Sequence, residues 1–449
     1  MSKSNYLLKG NVYKSLLVFT MPIFFSLVLQ ILYSTVDMYV VSNYSLLEDV
    51  SAVSTASQVM NIIVGFISGL STGITILIGQ YIGLKDYKSL NKTIMNSMTM
   101  FLIIAISIMG ITIIFNNNIV SLMNTPIDAI DETSSYLFVC SLGIPFIVAY
   151  NVYSSLFRGF GKSNMSFIAV LVACITNIIL DVVLVVNFNM GAKGAAIATV
   201  IAQGISLLCS IYLSKKYEII EYKYKYLKLQ KDIISKVIKV GMPIALQSVL
   251  VSFSFLAITV IVNRFGINYS SAVGIVEKIT GIIMLVPLSF MQSISIFVAH
   301  NYGANNIHRA KHGMYASIIM SLIFGLITSY IAYFYPNILL NIFIDDINVI
   351  PLAKDYLQAY AIDTIQVCIM FSMTGYFSGL GKSMFVMIQG IIGALFIRLI
   401  LVLIFSNIVP TSLFIIGLST PIATFIQIIL CIIYYMYLNK KEINNTIIE

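Results

Sequence analysis

The sequence predicts an all-α polytopic membrane protein, with twelve transmembrane helices arranged as two parallel six-helix repeats. Composition is the first reason. Of the 449 residues, 59% are hydrophobic and only 10% charged, whereas a soluble domain carries about 25% charged residues. Internal repetition is the second. Arg158-Gly159-Phe160-Gly161-Lys162-Ser163 recurs as Ser378-Gly379-Leu380-Gly381-Lys382-Ser383, an offset of about 220 residues. Ser51-Ala52-Val53 recurs as Ser271-Ala272-Val273, Met21-Pro22-Ile23 as Met242-Pro243-Ile244, and Tyr81-Ile82-Gly83 is echoed by Asn301-Tyr302-Gly303. A common offset at four separate places marks a duplicated bundle, and duplicated membrane bundles tend to hold a substrate site between the copies. A closed β-barrel would instead show short strands of alternating polarity.

A helix needs about 20 apolar residues to cross a bilayer, and twelve stretches meet that test. The first, 15–41, follows Lys14 and carries Pro22 and Asp37; the second, 51–79, lies between Glu48-Asp49 and the run Lys85, Lys88, Lys92. The third is 94–115, and the fourth, 134–157, lies between the acids Asp128, Asp131, Glu132 and Arg158. The fifth, 164–188, follows Lys162 and contains Asn177 and Asp181; the sixth, 192–214, stops at Lys215-Lys216. In the second half, 236–262 holds Pro243, 271–298 holds Glu277-Lys278, and 313–335 follows Arg309 and Lys311. The last three are 354–377 with Asp363, 385–406 with Arg398, and 411–438 ahead of Lys440-Lys441.

The net charge of +8 is a topology signal and predicts no nucleic-acid partner. Most of the 26 Lys and Arg fall in segments that are cytoplasmic when the amino terminus is inside, whereas the outer side keeps Lys193, Arg264 and Lys354 beside the acids named above and Asp345-Asp346. That asymmetry places both termini in the cytoplasm of a multi-pass cell-membrane protein. Six spans per half bring the second copy in from the same side, so the repeats are related by an axis along the membrane normal. The expected organisation is a first lobe 1–214, a Lys- and Tyr-rich cytoplasmic linker 215–235 and a second lobe 236–449, in a chain that works as a monomer. The first apolar stretch is too long for a cleavable signal peptide and lacks its small-residue cleavage site.

A charge within a bilayer costs about 2.5–3.5 kcal/mol on insertion scales, so each one needs a reason. The spans hold Asp37, Asp181, Glu277, Lys278, Asp363 and Arg398. Glu277 and Lys278 read either as local charge compensation or as functional groups, and Arg398 as a partner for a carboxylate or as a cavity-lining residue. Asp37 and Asp181 are more specific. Both helices run outward, and the acids sit about 6 Å and 10 Å from their outer ends. Asn177 precedes Asp181 by one helical repeat and shares its face, while Thr199, on the returning sixth helix, lies at similar depth. Two carboxylates, an amide and a hydroxyl in one layer suit a proton or Na⁺: burial favours the neutral carboxyl, a second carboxylate strengthens that preference, and the same oxygens can ligate a hard cation. The alternative is that both acids cap helix ends. Asymmetry argues against it, since Asp37 maps onto Ile258 and Asp181 onto Leu401, while Asp363 maps onto Gly143. Pro22, repeated as Pro243, offers a hinge or a static kink.

Other patterns are set aside. A phosphate loop needs a glycine where Leu156 and Tyr376 stand, so both Gly-x-Gly-Lys-Ser strings read as turns between helices. His300, His308 and His312 read as solvated loop residues, and the five cysteines as small apolar packing residues without metal-ligand spacing. No nucleophile–base set is present, so no enzyme is expected, nor any cofactor beyond the coupling ion.

Taken together and in order, these residues resemble the multidrug and toxic compound extrusion (MATE) family, within a superfamily that also holds polysaccharide and lipid flippases. The carriers are Pro22 through Gln30 to Val36-Asp37, Gly79-Gln80-Tyr81-Ile82-Gly83, Arg158-Gly159-Phe160-Gly161, Asn177-Ile178-Ile179-Leu180-Asp181 and Gly194-Ala195-Ala196-Ile197-Ala198-Thr199. The resemblance implies two six-helix lobes forming a V around a central cavity. It also implies export of amphipathic, mostly cationic compounds by alternating access, driven by inward H⁺ or Na⁺. Asp37, Asn177, Asp181 and Thr199 match the family's amino-terminal cation site; Gln30, Tyr136 and Asn151 match polar lining positions, to which Gln58, Lys278 and Arg398 are added as cavity candidates. Asp363-Thr364-Ile365-Gln366-Val367 resembles a motif whose Asp binds a cation in some branches, making Asp363 a second candidate, but the partner Glu of those branches is replaced here by Val251 and Ser252. The alternative function is a flippase of a lipid-linked oligosaccharide or another lipid precursor. It calls for a strongly cationic cavity, and Lys278 and Arg398 are the two basic residues within spans.

Overall fold

Apolar segments in lipid must satisfy every backbone N–H and C=O internally, and a helix does so within one segment. The computed structural model, which describes residues 6–223, 226–344, 346–409 and 412–448, is helical, with no strand among the described residues. The first repeat comprises α1 (Val12–Tyr44), α2 (Leu47–Leu84), α3 (Tyr87–Ile114), α4 (Asn116–Leu122), α5 (Ile130–Gly159), α6 (Ser163–Asp181) with a π-helical turn at Val182–Asn187, and α7 (Gly191–Lys216). The second comprises α8 (Lys231–Val262), α9 (Ile267–Ile283), α10 (Leu285–Gly303), α11 (Ile307–Phe334), α12 (Pro336–Leu340) and α13 (Ile350–Gly379). It ends with α14 (Ser383–Ile391), a π-helical turn at Ile392–Arg398, α15 (Leu399–Ile408), α16 (Leu413–Gly417) and α17 (Ser419–Ile448).

Among the described residues, 10 helical segments are long and apolar enough to cross a membrane, and α9 with α10, bent by 41° at their junction, make 11 if they form one span. The one expected span outside that count, 354–377, corresponds to α13, a 30-residue helix. It falls outside the count because Gln358, Asp363 and Gln366 lower its hydropathy. The chain packs as two units: Met1–Ala245 with Ala299–Asn306, and Leu246–Val298 with Ile307–Glu449. The predicted linker, of which residues 224 and 225 lie outside the described residues, as does Asp345, packs within the first unit. Asn96 of α3 holds it at two points, accepting from Gln230 N at 2.6 Å and donating to Tyr226 O at 3.1 Å. Thr99 donates to Leu227 O at 3.0 Å, and the Tyr222 hydroxyl lies 3.1 Å from that of Tyr153 and 2.9 Å from that of Ser214.

The repeated strings have structural roles. Gly161 and Gly381 take φ of +73° and +76°, and each closes a helix. Gly161 N donates to Arg158 O and Lys162 N to Phe157 O, both at 2.8 Å; Gly381 N and Lys382 N repeat the pattern to Ser378 O at 2.8 Å and Phe377 O at 2.9 Å. This paired arrangement satisfies the last carbonyls of α5 and α13 with a left-handed glycine, so both strings are helix caps. The echo of Gly83 in Gly303 is a contact within the first unit. Gly83, at the end of α2, lies against the backbone of His300, Gly303 and Ala304, and Gly303 lies against Gln80. Neither glycine leaves room for a side chain, which is how small residues let membrane helices approach.

Two predicted loop residues are buried instead. His300 is not a solvated loop histidine: α10 extends to Gly303, the ring is fully buried, and Nε2 lies 2.7 Å from Gly159 O. His308 and His312 are exposed, as expected. Asp49, predicted among the outer-loop acids, is 8% exposed; its Oδ1 accepts from Ala192 N at 2.7 Å and its Oδ2 from Leu46 N at 3.3 Å. It thereby satisfies free N–H groups at the starts of α2 and α7. All five cysteines are free, four of them buried and Cys209 half-buried.

Candidate cation-binding site

In the first unit α1, α6 and α7 pack side by side and bring the predicted acidic layer together. Asp37 stands about two turns before the end of α1 at Tyr44. Asp181 stands at a matching depth, because the π-helical turn carries its helix on to Asn187. π-helical turns are frequent at functional sites, since the extra residue re-aims side chains. Asp181 is fully buried, Asn177 is 2% exposed and Asp37 8% exposed, and the two carboxyl groups lie within hydrogen-bonding reach of each other. Asn177 Nδ2 donates to Asp181 Oδ1 and to Thr199 Oγ1, both at 3.5 Å. Three buried oxygens remain unpartnered: Asp37 Oδ1, Asn177 Oδ1 and Asp181 Oδ2. Native interiors rarely leave buried acceptors unmatched, and such groups call for a proton, an ion or water.

Two residues at this site escaped the sequence reading. Tyr33 sits beside Asp37, and Tyr33, Asn177, Thr199 and Gln203 line one narrow crevice. Gln203 brings a further unpartnered buried oxygen, Oε1. Helical spacing was the available signal: Tyr33 precedes Asp37, and Gln203 follows Thr199, by four positions on the same face. Of the predicted lining residues, Tyr136 is 4% exposed and faces Asp37 and Cys140. Asn151 is half-buried and donates to Ile147 O of its own helix at 2.8 Å, while Gln30 and Gln58 are exposed. Pro22 lies within an unbroken α1, where Ser26 Oγ donates to Pro22 O at 2.7 Å.

The second unit builds a separate buried cluster. Asp363 is 2% exposed and accepts from Thr424 Oγ1 at 2.6 Å. Arg398 is 7% exposed and donates through Nε and Nη2 to Ser254 Oγ at 3.3 and 3.0 Å. Lys278 is exposed, whereas its neighbour Glu277 turns inward and has one buried, unpartnered oxygen.

The MatE family model matches the chain twice, over residues 22–183 and 243–404. The chain belongs to the MatE family. This MATE-family chain is accordingly a membrane transporter and not an enzyme. It is 28% identical to a Bacillus subtilis protein described as "Probable multidrug resistance protein YoeA" over 346 residues, which cover 75% of each chain. It is 25% identical to the "Multidrug export protein MepA" of Staphylococcus aureus over 403 residues, covering 87% of this chain and 88% of the relative. Its fold matches a solved structure described as "MATE in the bent conformation" with a TM-score of 0.93 at 19% identity, over 99% of this chain and 100% of the other. A second match, at 0.91 and 19% identity over 98% and 99%, is the "outward-facing conformation of a multidrug resistance MATE family transporter".

Proposed function

We propose that this multidrug efflux transporter is an antiporter: a cation, H⁺ or Na⁺, binds at Asp37, Asn177, Asp181 and Thr199 and moves inward, and amphipathic, mostly cationic compounds leave by alternating access. The observation that carries the reading is the buried pair of carboxyl groups with unpartnered oxygens at matched depth. Two acids with a single amide donor between them hold more acceptors than donors, and a proton or a hard cation corrects that imbalance. Coupling requires the cation and the drug to favour different conformations. One charge entering down about 150 mV releases roughly 3.5 kcal/mol, which sustains a gradient of about 300-fold for a neutral solute. A cationic drug leaving in exchange cancels that electrical gain, so the chemical gradient of the ion then supplies the drive. The names of the relatives support multidrug export, and the positive-inside pattern supports cytoplasmic termini. Asp363 is not assigned to coupling.

The test is efflux of a fluorescent cationic dye from cells expressing wild type, Asp37→Asn or Asp181→Asn at equal levels, with Na⁺ present or absent and with a protonophore. Wild type exports and both variants fail if the reading holds, and the ion conditions name the coupling ion. Normal export by both variants refutes it.

A further inference from the structure

The buried cluster of the second unit contains two carboxyls and a guanidinium, and the guanidinium is the most firmly placed of the three. Arg398 closes the π-helical turn Ile392–Arg398, whose extra residue aims the side chain inward. Its plane lies over the Phe255 ring, 4.0 Å from the centroid, and Ser254 accepts from both of its bonding nitrogens. Ser254 is itself fixed, donating to Ala394 O at 2.8 Å. A charge so deeply buried normally has an ionic partner in contact, yet no carboxylate of the described residues comes within ion-pair distance of Arg398. Glu277 and Asp363 lie within its electrostatic reach, as do the hydroxyls of Tyr356 and Tyr360. In a low-dielectric interior such interactions act across several ångströms. The guanidinium is thus anchored by Ser254 and Phe255, while Asp363 has its own partner in the Thr424 hydroxyl.

We infer that Arg398 is the resident counter-cation of the second unit, a positioning residue that offsets the charge of Asp363 and Glu277 and keeps alkali cations away from Asp363. Asp363 with the Thr424 hydroxyl bonded to it, and the unpartnered Glu277 oxygen, are donors of the kind a hard cation takes. A Na⁺ binding there would meet a tethered positive charge that cannot leave, because Arg is never deprotonated. The charge left over from two acids and one guanidinium is a single negative one, which one proton removes. The inference concerns ion binding in the second unit and stands whether or not the first unit couples transport.

The experiment is binding of radioactive ²²Na⁺ to the purified full-length protein in detergent, with choline chloride holding ionic strength constant. Wild type and Asp363→Asn should bind the same amount of Na⁺, whatever the first unit contributes. Arg398→Gln should gain one Na⁺ per protein, Arg398→Lys should gain none because the charge is kept, and Arg398→Gln/Asp363→Asn should lose the gain. Loss of a bound Na⁺ in Asp363→Asn alone overturns the inference, as does a folded Arg398→Gln that gains none. Should Arg398→Gln fail to fold, the comparison of wild type with Asp363→Asn decides the matter alone.

Discussion

An alanine at Gly303 should force the last turn of α10 away from α2. Its Cβ would meet Gln80 O and stand 2.8 and 2.9 Å from Gln80 C and Cα. Carbon atoms at their best separation are about 3.5–4.0 Å apart, so the two backbones must part by roughly 0.7–1 Å. The opposing atoms belong to main chain, so no rotamer change relieves the clash, and overpacking of this kind costs about 1–3 kcal/mol. Gly83→Ala makes the reciprocal clash, with Ala304 N at 2.7 Å and Gly303 C at 2.8 Å. Once one substitution has parted the helices the other finds room, so the double variant should lose less than the sum, by about 1 kcal/mol or more. Gly65→Ala is the control, because nothing lies within 4 Å of its Cβ; removing a helix-interior glycine there should be neutral or stabilise by about 0.5–1 kcal/mol. The assay is thermal unfolding in one detergent at one scan rate, since such unfolding is governed by rate as well as equilibrium. Single variants that melt with wild type, or strict additivity in the double, refute the proposed packing of Gly83 on Gly303.

Further outcomes follow from the same geometry. Asp49→Ala should lower stability by about 1–2 kcal/mol through loss of the bonds to Ala192 N and Leu46 N, read as a lower melting temperature with dye efflux retained in the folded fraction. Gly161→Ala and Gly381→Ala should each destabilise by about 1 kcal/mol or more, because a side chain is strained at φ of +73° and +76°; equal melting temperatures would remove the capping role. Thr199→Val deletes the hydroxyl that accepts from Asn177, a loss of about 1 kcal/mol. The coupling-cation concentration for half-maximal efflux should then rise, by up to about five-fold where the loss falls on cation binding.

The sequence displayed the features that depend on local pattern. Repetition of Gly159-Phe160-Gly161-Lys162-Ser163 and of Gly83 at a fixed offset revealed the duplication because caps and close helix contacts demand glycine in both copies. Helical spacing placed Asp37, Asn177, Asp181 and Thr199 in one layer because depth in a bilayer is counted along the chain. Features that depend on which helix lies opposite could not be seen this way. Asp49 looked like a loop acid, since its partner Ala192 is far away in sequence. His300 looked solvated because nothing local shows that α10 continues past it onto Gly159. Glu277 and Lys278 are adjacent in sequence yet point to different surroundings, since successive helix residues face different directions. Tyr33 and Gln203 carried the right spacing, but that spacing became meaningful only with the crevice beside Asn177 in view.

The most direct test of coupling at the first-unit acids uses purified protein in liposomes, with dye movement driven by an imposed gradient of H⁺ or Na⁺ alone. Wild type should concentrate the dye against its own gradient. Asp37→Asn and Asp181→Asn should equilibrate dye down its gradient at measurable rates and show no response to the ion gradient. Gradient-driven accumulation by either variant, at the wild-type level, would contradict the account.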